Sequence, residues 1–382
     1  MTKIKELLRK DIMLSVSIFA AVVSLFITPP DRELIKDIDF KTLATLFMML
    51  TVLEGFKKEN IFNPLLKLAG NIRTMFGLSL FLVFSVFFSS MFVTNDVSLI
   101  IFVPLTIILF RAGGKEKYIL PVISMENIAA IRGSLLMPFG SPQNLFLFGK
   151  SGVSAARFML YMSPLNITSA VLLVLFIYFL YRKDVREPID TGANAIRGEW
   201  MPEGRVKRIL YISLFALVLF TIVSRTSYWP YITLFVVVAV LIFDRKVLIK
   251  TDYVLLLTFL CFFIFSSSIA RHPGISAFLK ESVAYNEYWW AILLSQVISN
   301  VPASIVLYPF TANLGALLYG LDTAGLCSLI GSLASVINYR IYVREYPGNG
   351  GKFVKVFTLV SWAFFVIVVI PGFILSRVWK IM

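Results

Sequence analysis

The residues in this chain whose types and spacing could do chemistry lie in two polar interruptions of long apolar runs, Thr94-Asn95-Asp96 and Ser299-Asn300. Each is followed by a stretch too rich in glycine and oxygen-bearing side chains for a continuous membrane helix: Gly133 to Asn144 (GSLLMPFGSPQN) and Gly325 to Ser335 (GLCSLIGSLAS). A helix that stops at membrane depth exposes unpaired amides at one end and unpaired carbonyls at the other. The amide end carries partial positive charge and suits an anion, whereas the carbonyl end suits a hard cation such as sodium. Paired interruptions in corresponding positions of two halves point to a secondary transporter's binding site. Oxygens at Thr94, Asn95, Ser141, Asn144, Ser299, Asn300, Ser332 and Ser335 would complete two approximately related sites.

Asp96 or Asn95 is placed to cap a helix beginning near Val97, and Pro302 stands where proline favours a helix start. A charge inside a span is expensive and usually functional or paired, so Asp96 reads as a cap, a coupling acid, or both. Arg132, beside the first glycine-rich stretch, could hold a substrate anion; Glu126, six residues earlier, is the rival reading as its structural partner. Asn127 and Arg340 read as structural, Cys327 as a small buried residue, and His272 as a solvated loop residue. Enzyme chemistry finds no support: there is no HExxH, no paired-acid motif and one histidine in all. No Walker motif is present either. Cys261 and Cys327 give neither a disulfide framework nor a zinc signature.

The elements that must position these residues follow from composition. Of 382 residues, 58% are hydrophobic and 15% charged, which makes an all-α polytopic membrane protein. Spans are expected at about 12–29, 39–56, 118–149 (broken), 163–181, 206–224, 229–244, 252–270, 322–343 (broken) and 354–376. The apolar regions 75–110 and 286–317 are too long for one span and have polar centres, so each reads as a re-entrant helical hairpin on the strength of the internal repeat, the alternative being a pair of crossing spans that would leave the loop sidedness unchanged. Amphipathic stretches at about 60–72 and 273–285 precede the hairpins and suit the membrane interface. With this arrangement 25 Lys and Arg fall in loops on the side of the N-terminus and 10 on the other. The positive-inside rule then places the N-terminus in the cytoplasm and accounts for much of the net charge of +14 without nucleic acid. The basic N-terminus and its apolar run read as an uncleaved first span.

A weak repeat relates the halves. Asp39 to Thr45 matches Asp252 to Thr258 at an offset of 213, Thr94-Asn95 and Pro104 match Ser299-Asn300 and Pro309 at 205, and Gly140-Ser141 matches Gly331-Ser332 at 191. The hairpins open on opposite sides, so the copies, 1–181 and 208–382, have inverted topology, joined by a hydrophilic cytoplasmic linker at 182–207.

Hairpin tips bearing Ser/Thr-Asn, a proline-containing second arm and a broken helix with a GSPQN-like loop resemble the ion transporter superfamily. That family includes sodium-coupled dicarboxylate and citrate carriers, arsenite permease and some sodium/proton antiporters. The resemblance covers about Asp39 to Arg344. It implies a first site at Thr94, Asn95, Gly140, Ser141 and Asn144, and a second at Ser299, Asn300, Gly331, Ser332 and Ser335. It also implies a homodimer in the plasma membrane, no cofactor, and Na+ or H+ as coupling ion. Both tips lack the third hydroxyl of the dicarboxylate branch, and Asp96 resembles the Asn-Asp pattern of the arsenite and antiporter branches. The expected function is secondary active transport of a small anion by alternating access, with a cation/proton antiporter or arsenite-type permease using Asp96 as the alternative.

Overall fold

The computed structural model describes residues 12–61, 68–69, 71–190, 204–378 and 381. Among them the chain is helical almost throughout, with no strand and a single isolated bridge between Thr74 and Pro188. The first half comprises α1 (Ile12–Ile27), α2 (Arg32–Asp37), α3 (Phe40–Lys58), α4 (Met75–Val93), α5 (Asn95–Ala112), α6 (Ile119–Ser134), α7 (Pro142–Ser151) and α8 (Ala155–Tyr181). The second comprises α9 (Arg205–Ser224), α10 (Trp229–Lys250), α11 (Tyr253–Arg271), α12 (Pro273–Val283), α13 (Glu287–Ile298), α14 (Asn300–Leu307), α15 (Leu314–Ala324), α16 (Leu333–Glu345) and α17 (Gly350–Val378). Six of these, α4, α5, α8, α9, α11 and α17, are long and apolar enough to cross a membrane. Phenylalanines such as Phe19 and Phe26 stand exposed on α1, as side chains facing lipid do. The protein is an all-α, multi-pass membrane protein.

Local chemistry explains the helix starts. Asp39 Oδ1 accepts from Thr42 N at 2.9 Å to open α3, and Asp252 Oδ1 accepts from Leu255 N at 3.0 Å to open α11. The segments that match in sequence thus begin their helices in the same way. α4 and α5 pack together across a one-residue joint at Thr94, and α13 and α14 do so across Ser299. The packing between halves is reciprocal: α16 lies on α5, while α7 lies on α14. Two apolar cores result, one centred on α3, α7, α9–α11 and α13–α15, the other on α4–α6, α16 and α17.

Several boundaries differ from expectation for identifiable reasons. The second broken helix begins at Leu314 rather than near 322, because Asn313 Oδ1 caps Ala316 N at 3.0 Å and Glu287 Oε1 takes the amides of Ala312 and Asn313 at 2.9 and 2.8 Å. α10 continues past 244 to Lys250, bending at Asp244 (φ −161°, ψ 67°), whose Oδ1 accepts from Lys58 Nζ at 2.6 Å. α8 begins earlier, at Ala155, capped by Ser154, whose Oγ accepts from Arg157 N at 3.2 Å. Asn95 and Asp96 do not cap α5 from outside; they are its first two residues, and Asn95 Oδ1 accepts from Asp96 N at 3.0 Å. His272 is the cap of α12, its Nδ1 accepting from Ile275 N at 3.3 Å. Most of the amphipathic stretch 60–72, the basic N-terminus and linker residues 191–203 lie outside the described residues.

The chain leaving α8 is pinned by Glu187, which takes Lys115 Nζ at 2.7 Å and Tyr118 OH at 2.9 Å. The Lys115 bond, helped by Tyr118 against a smaller opposing effect of burial, holds this carboxyl below its ordinary range. A depressed carboxyl adds stability above its unfolded value of about 4.3 and loses it as pH falls through the lower folded value. Glu187→Gln is therefore expected to lower the melting temperature at neutral pH and to flatten its decline between about pH 5 and pH 3, as read by thermal denaturation across pH.

Candidate functional site

Thr94 has φ 72° and ψ 156°, and Ser299 has φ 68° and ψ 159°. Positive φ with ψ near 160° is a region essentially reserved for glycine and costs of order 1–3 kcal/mol for other residues. The two joints therefore carry the same strain at matching places. Such strain persists only where surrounding structure over-determines it. Around Thr94, Ser98 Oγ donates to its carbonyl at 3.0 Å and Ser89 Oγ donates to Ser98 Oγ at 3.0 Å. Asn300 N donates to Gly331 O at 3.2 Å, tying the second joint to the second break.

The breaks are equally matched. α6 ends at Ser134 and α7 starts at Pro142; α15 ends at Ala324 and α16 starts at Leu333. Gly140 and Gly331 permit the chain to fold back at each, since a Cβ there would lie 2.1 Å from Ser134 O and 2.4 Å from Ala324 O. Ser141 and Ser332 occupy the N-cap positions of α7 and α16 in extended conformation, yet neither hydroxyl makes the capping bond. Both are buried without a hydrogen-bond partner, as are Ser299 Oγ and Asn144 Oδ1. An unmet buried polar group costs about 1–3 kcal/mol, so four such oxygens at the N-termini of α7, α14 and α16 are a set of atoms suited to a ligand. Asn144 Nδ2 donates to Leu135 O at 3.2 Å and holds the first loop. Ser335 is not free in this way: its Oγ accepts from Asn127 Nδ2 at 3.0 Å across the halves.

A cavity of about 480 Å³ reaches Thr94, Asp96 and Ser141. Its wall also carries Lys57, Lys250 and Asp252, while Asp96 Oδ1 is without a partner. A smaller one of about 60 Å³ touches Ser299 and Pro302 and shares Asp252, Val254, Leu255 and Leu333 with the first. Asn95, Asn144, Gly140, Asn300, Gly331, Ser332 and Ser335 line neither of these two cavities. A third cavity, of about 350 Å³, is lined by Lys36, Lys150, Phe146 and Tyr308 and shares no wall residue with the other two. Beside it Lys150 Nζ meets Asp39 Oδ2 at 2.8 Å.

Arg132 is fully buried and lines none of these cavities. Glu126 is not its partner: that carboxylate accepts from Thr106 Oγ1 instead. Cys327 is half-buried, its carbonyl taking Trp362 Nε1 at 2.7 Å. Sequence reasoning passed over Asp322, whose Oδ1 accepts from Gln143 Nε2 at 3.2 Å. It also passed over Asp252 and Lys57 as cavity residues. Gln143 lay inside the quoted GSPQN stretch, but Asp322 sits in an apolar helix with no local signal to mark it.

The arrangement can present amide ends and hydroxyls to an anion, carbonyl ends to a cation, and one acid to the cavity. The sequence family described as citrate transporter matches residues 4–331. An uncharacterized transporter of Methanocaldococcus jannaschii is 30% identical over 331 residues, covering 86% of this chain and 87% of that protein. The inner membrane protein YbiR of Escherichia coli is 31% identical over 310 residues, covering 80% of each.

Proposed function

The chain belongs to the citrate transporter family, and from that premise we propose that it is a secondary active transporter of a small anion, a carboxylate or an inorganic oxyanion. Coupling is to Na+ or H+, and the mechanism is alternating access. The observation that carries this reading is the set of unpartnered oxygens on Ser141, Asn144, Ser299 and Ser332, which lie at two helix breaks and at one of two helix joints that share a strained conformation. Thr94, Asn95, Ser299, Asn300 and Ser332 then bind the anion, with the N-terminal amides of α5, α7, α14 and α16. The carbonyl ends of α6 and α15, with Gly140, Ser141, Asn144, Gly331 and Ser335, hold the cation. In this reading α4–α5 and α13–α14 are re-entrant hairpins of two inverted repeats. The charge bias of the loops puts the N-terminus in the cytoplasm, so the cavity bearing Lys57 and Lys250 faces inward. The assembly is a homodimer.

Asp96 favours a second reading, a cation/proton antiporter or arsenite-type permease on the same fold, because it reaches the cavity with an unpartnered oxygen beside Asp252. Thermal denaturation separates the two. A ligand binding only the folded state at a hundred times its Kd stabilises by about 2.7 kcal/mol. Citrate is expected to raise the melting temperature, more so in sodium or at a particular pH, and to be taken up by proteoliposomes. No shift with citrate, phosphate or arsenate, together with cation-driven proton movement, establishes the antiporter instead.

A further inference from the structure

Three cavities are strung along one helix. α11 runs for 19 residues from Tyr253 to Arg271, a length of about 28 Å that nearly matches the roughly 30 Å of a bilayer's apolar core. The first cavity, which holds Lys57 and Lys250, meets the start of α11 at residues 253–255. The second lies against Thr258 and Phe259, and the third against Phe263, Ser266 and Ala270. The first and third cavities therefore sit at opposite ends of a helix as long as the membrane is thick.

The same order holds on two helices that border the breaks and joints. α7 gives Leu145 to the first cavity and its neighbour Phe146 to the third, while α14 gives Pro302 to the second and Ile305 to the third. About one helical turn of side chain, roughly 5 Å, thus separates the second cavity from the third. That layer is aromatic. Ring centroids of Phe263 and Phe146 lie 5.5 Å apart, those of Phe263 and Phe259 6.4 Å, and those of Phe146 and Tyr308 5.5 Å, all edge to face. Lys150, on the wall of the third cavity, holds its Nζ 5.9 Å from the centre of the Phe146 ring. Ser266 Oγ donates to Ile305 O at 2.9 Å and ties α11 to α14 beside the same cavity. Edge-to-face rings can part and meet again without stranding a buried polar atom, whereas a hydrogen-bonded closure would bear that cost at each opening.

We propose that the third cavity is the second mouth of the transport path and that Phe146, Phe259, Phe263 and Tyr308 form the septum that shuts it. The contact that breaks on opening is Phe146 against Phe263, which joins α7 to α11. The proposal rests on the transporter reading for what passes, a small anion, and on the cavities and rings alone for where it passes. In this structure the rings meet, so the path is shut at this mouth.

The test is thiol labelling of the full-length protein carrying Cys261→Ala and Cys327→Ala, using a small, charged, membrane-impermeant methanethiosulfonate on spheroplasts and on inverted vesicles. Ala270→Cys and Lys57→Cys are expected to label from opposite faces. Leu255→Cys, on the wall of the first and second cavities, is expected to label readily from the Lys57 face and poorly from the Ala270 face. Adding Phe146→Leu removes two ring contacts but keeps an apolar side chain, and is expected to raise labelling of Leu255→Cys from the Ala270 face about tenfold. Tyr308→Leu removes one ring contact from a half-buried position; its expected rise of about threefold keeps the test should Phe146→Leu not fold. Phe158→Leu, which breaks an edge contact with Phe148 away from all three cavities, is the control. Labelling of Ala270→Cys and Lys57→Cys from one face overturns the second mouth. An unchanged rate at Leu255→Cys in the folded septum variants, or an equal rise with Phe158→Leu, overturns the septum. If the wild-type protein takes up no citrate, the substrate reading fails while the labelling still decides the path.

Discussion

Alanine at Gly140 or at Gly331 is expected to abolish uptake, at least roughly a hundredfold, and to destabilise the protein by about 1–3 kcal/mol. The added Cβ meets a backbone oxygen in both cases, Ser134 O at 2.1 Å and Ala324 O at 2.4 Å, and a helix-terminal carbonyl cannot swing aside as a flexible side chain can. The chain must move instead, and the residues it carries are Ser141 and Ser332, whose hydroxyls are buried without a hydrogen-bond partner. Gly351→Ala is the control, since nothing lies within 4 Å of a Cβ there. Uptake and melting temperature measured side by side check the expectation. Normal uptake by either break variant removes the breaks from the transport mechanism.

Asn95→Ala and Asn300→Ala are each expected to cut uptake at limiting substrate by about ten- to a hundredfold, the worth of one hydrogen bond to a charged ligand. Asn95 and Asn300 each follow a strained joint and are 6% and 2% exposed. Their own bonds inside the fold are modest: Asn95 Oδ1 accepts the next amide, and Asn300 Nδ2 reaches Leu321 O at 3.5 Å. Folded yield is therefore expected to change little while transport collapses. Asp96→Asn in the same series tests coupling. It is expected to remove the response of uptake to an imposed pH gradient if the coupling ion is a proton, and to leave a sodium response intact. Full uptake by both asparagine variants would sink the assignment of the two joints.

The positions of the joints and breaks were legible because polar residues interrupting an apolar run have few explanations at membrane depth. Thr94 and Ser299 fall at the joints expected for them, and both glycine-rich stretches contain a helix break. Helix limits were less legible. The start of α15 depends on Glu287, which reaches forward to the amides of Ala312 and Asn313, a contact no local pattern encodes. The surroundings of Arg132 were not legible for a related reason. Glu126 is near in sequence, but a six-residue separation puts the two on different faces of one helix, so Glu126 turns to Thr106 on α5. Arg132 instead lies over the Phe364 ring of α17, 6.0 Å from its centroid, and only the fold supplies that proximity.

The single-residue joints at Thr94 and Ser299 have a mechanical consequence. A loop of several residues between two helices would act as a spring, absorbing a shift of one arm before the other felt it. Here α4 passes to α5, and α13 to α14, through one residue held in a narrow backbone well with no slack to give. Each helix pair is a stiff lever, and displacement of either arm arrives undiminished at the asparagine beside the joint.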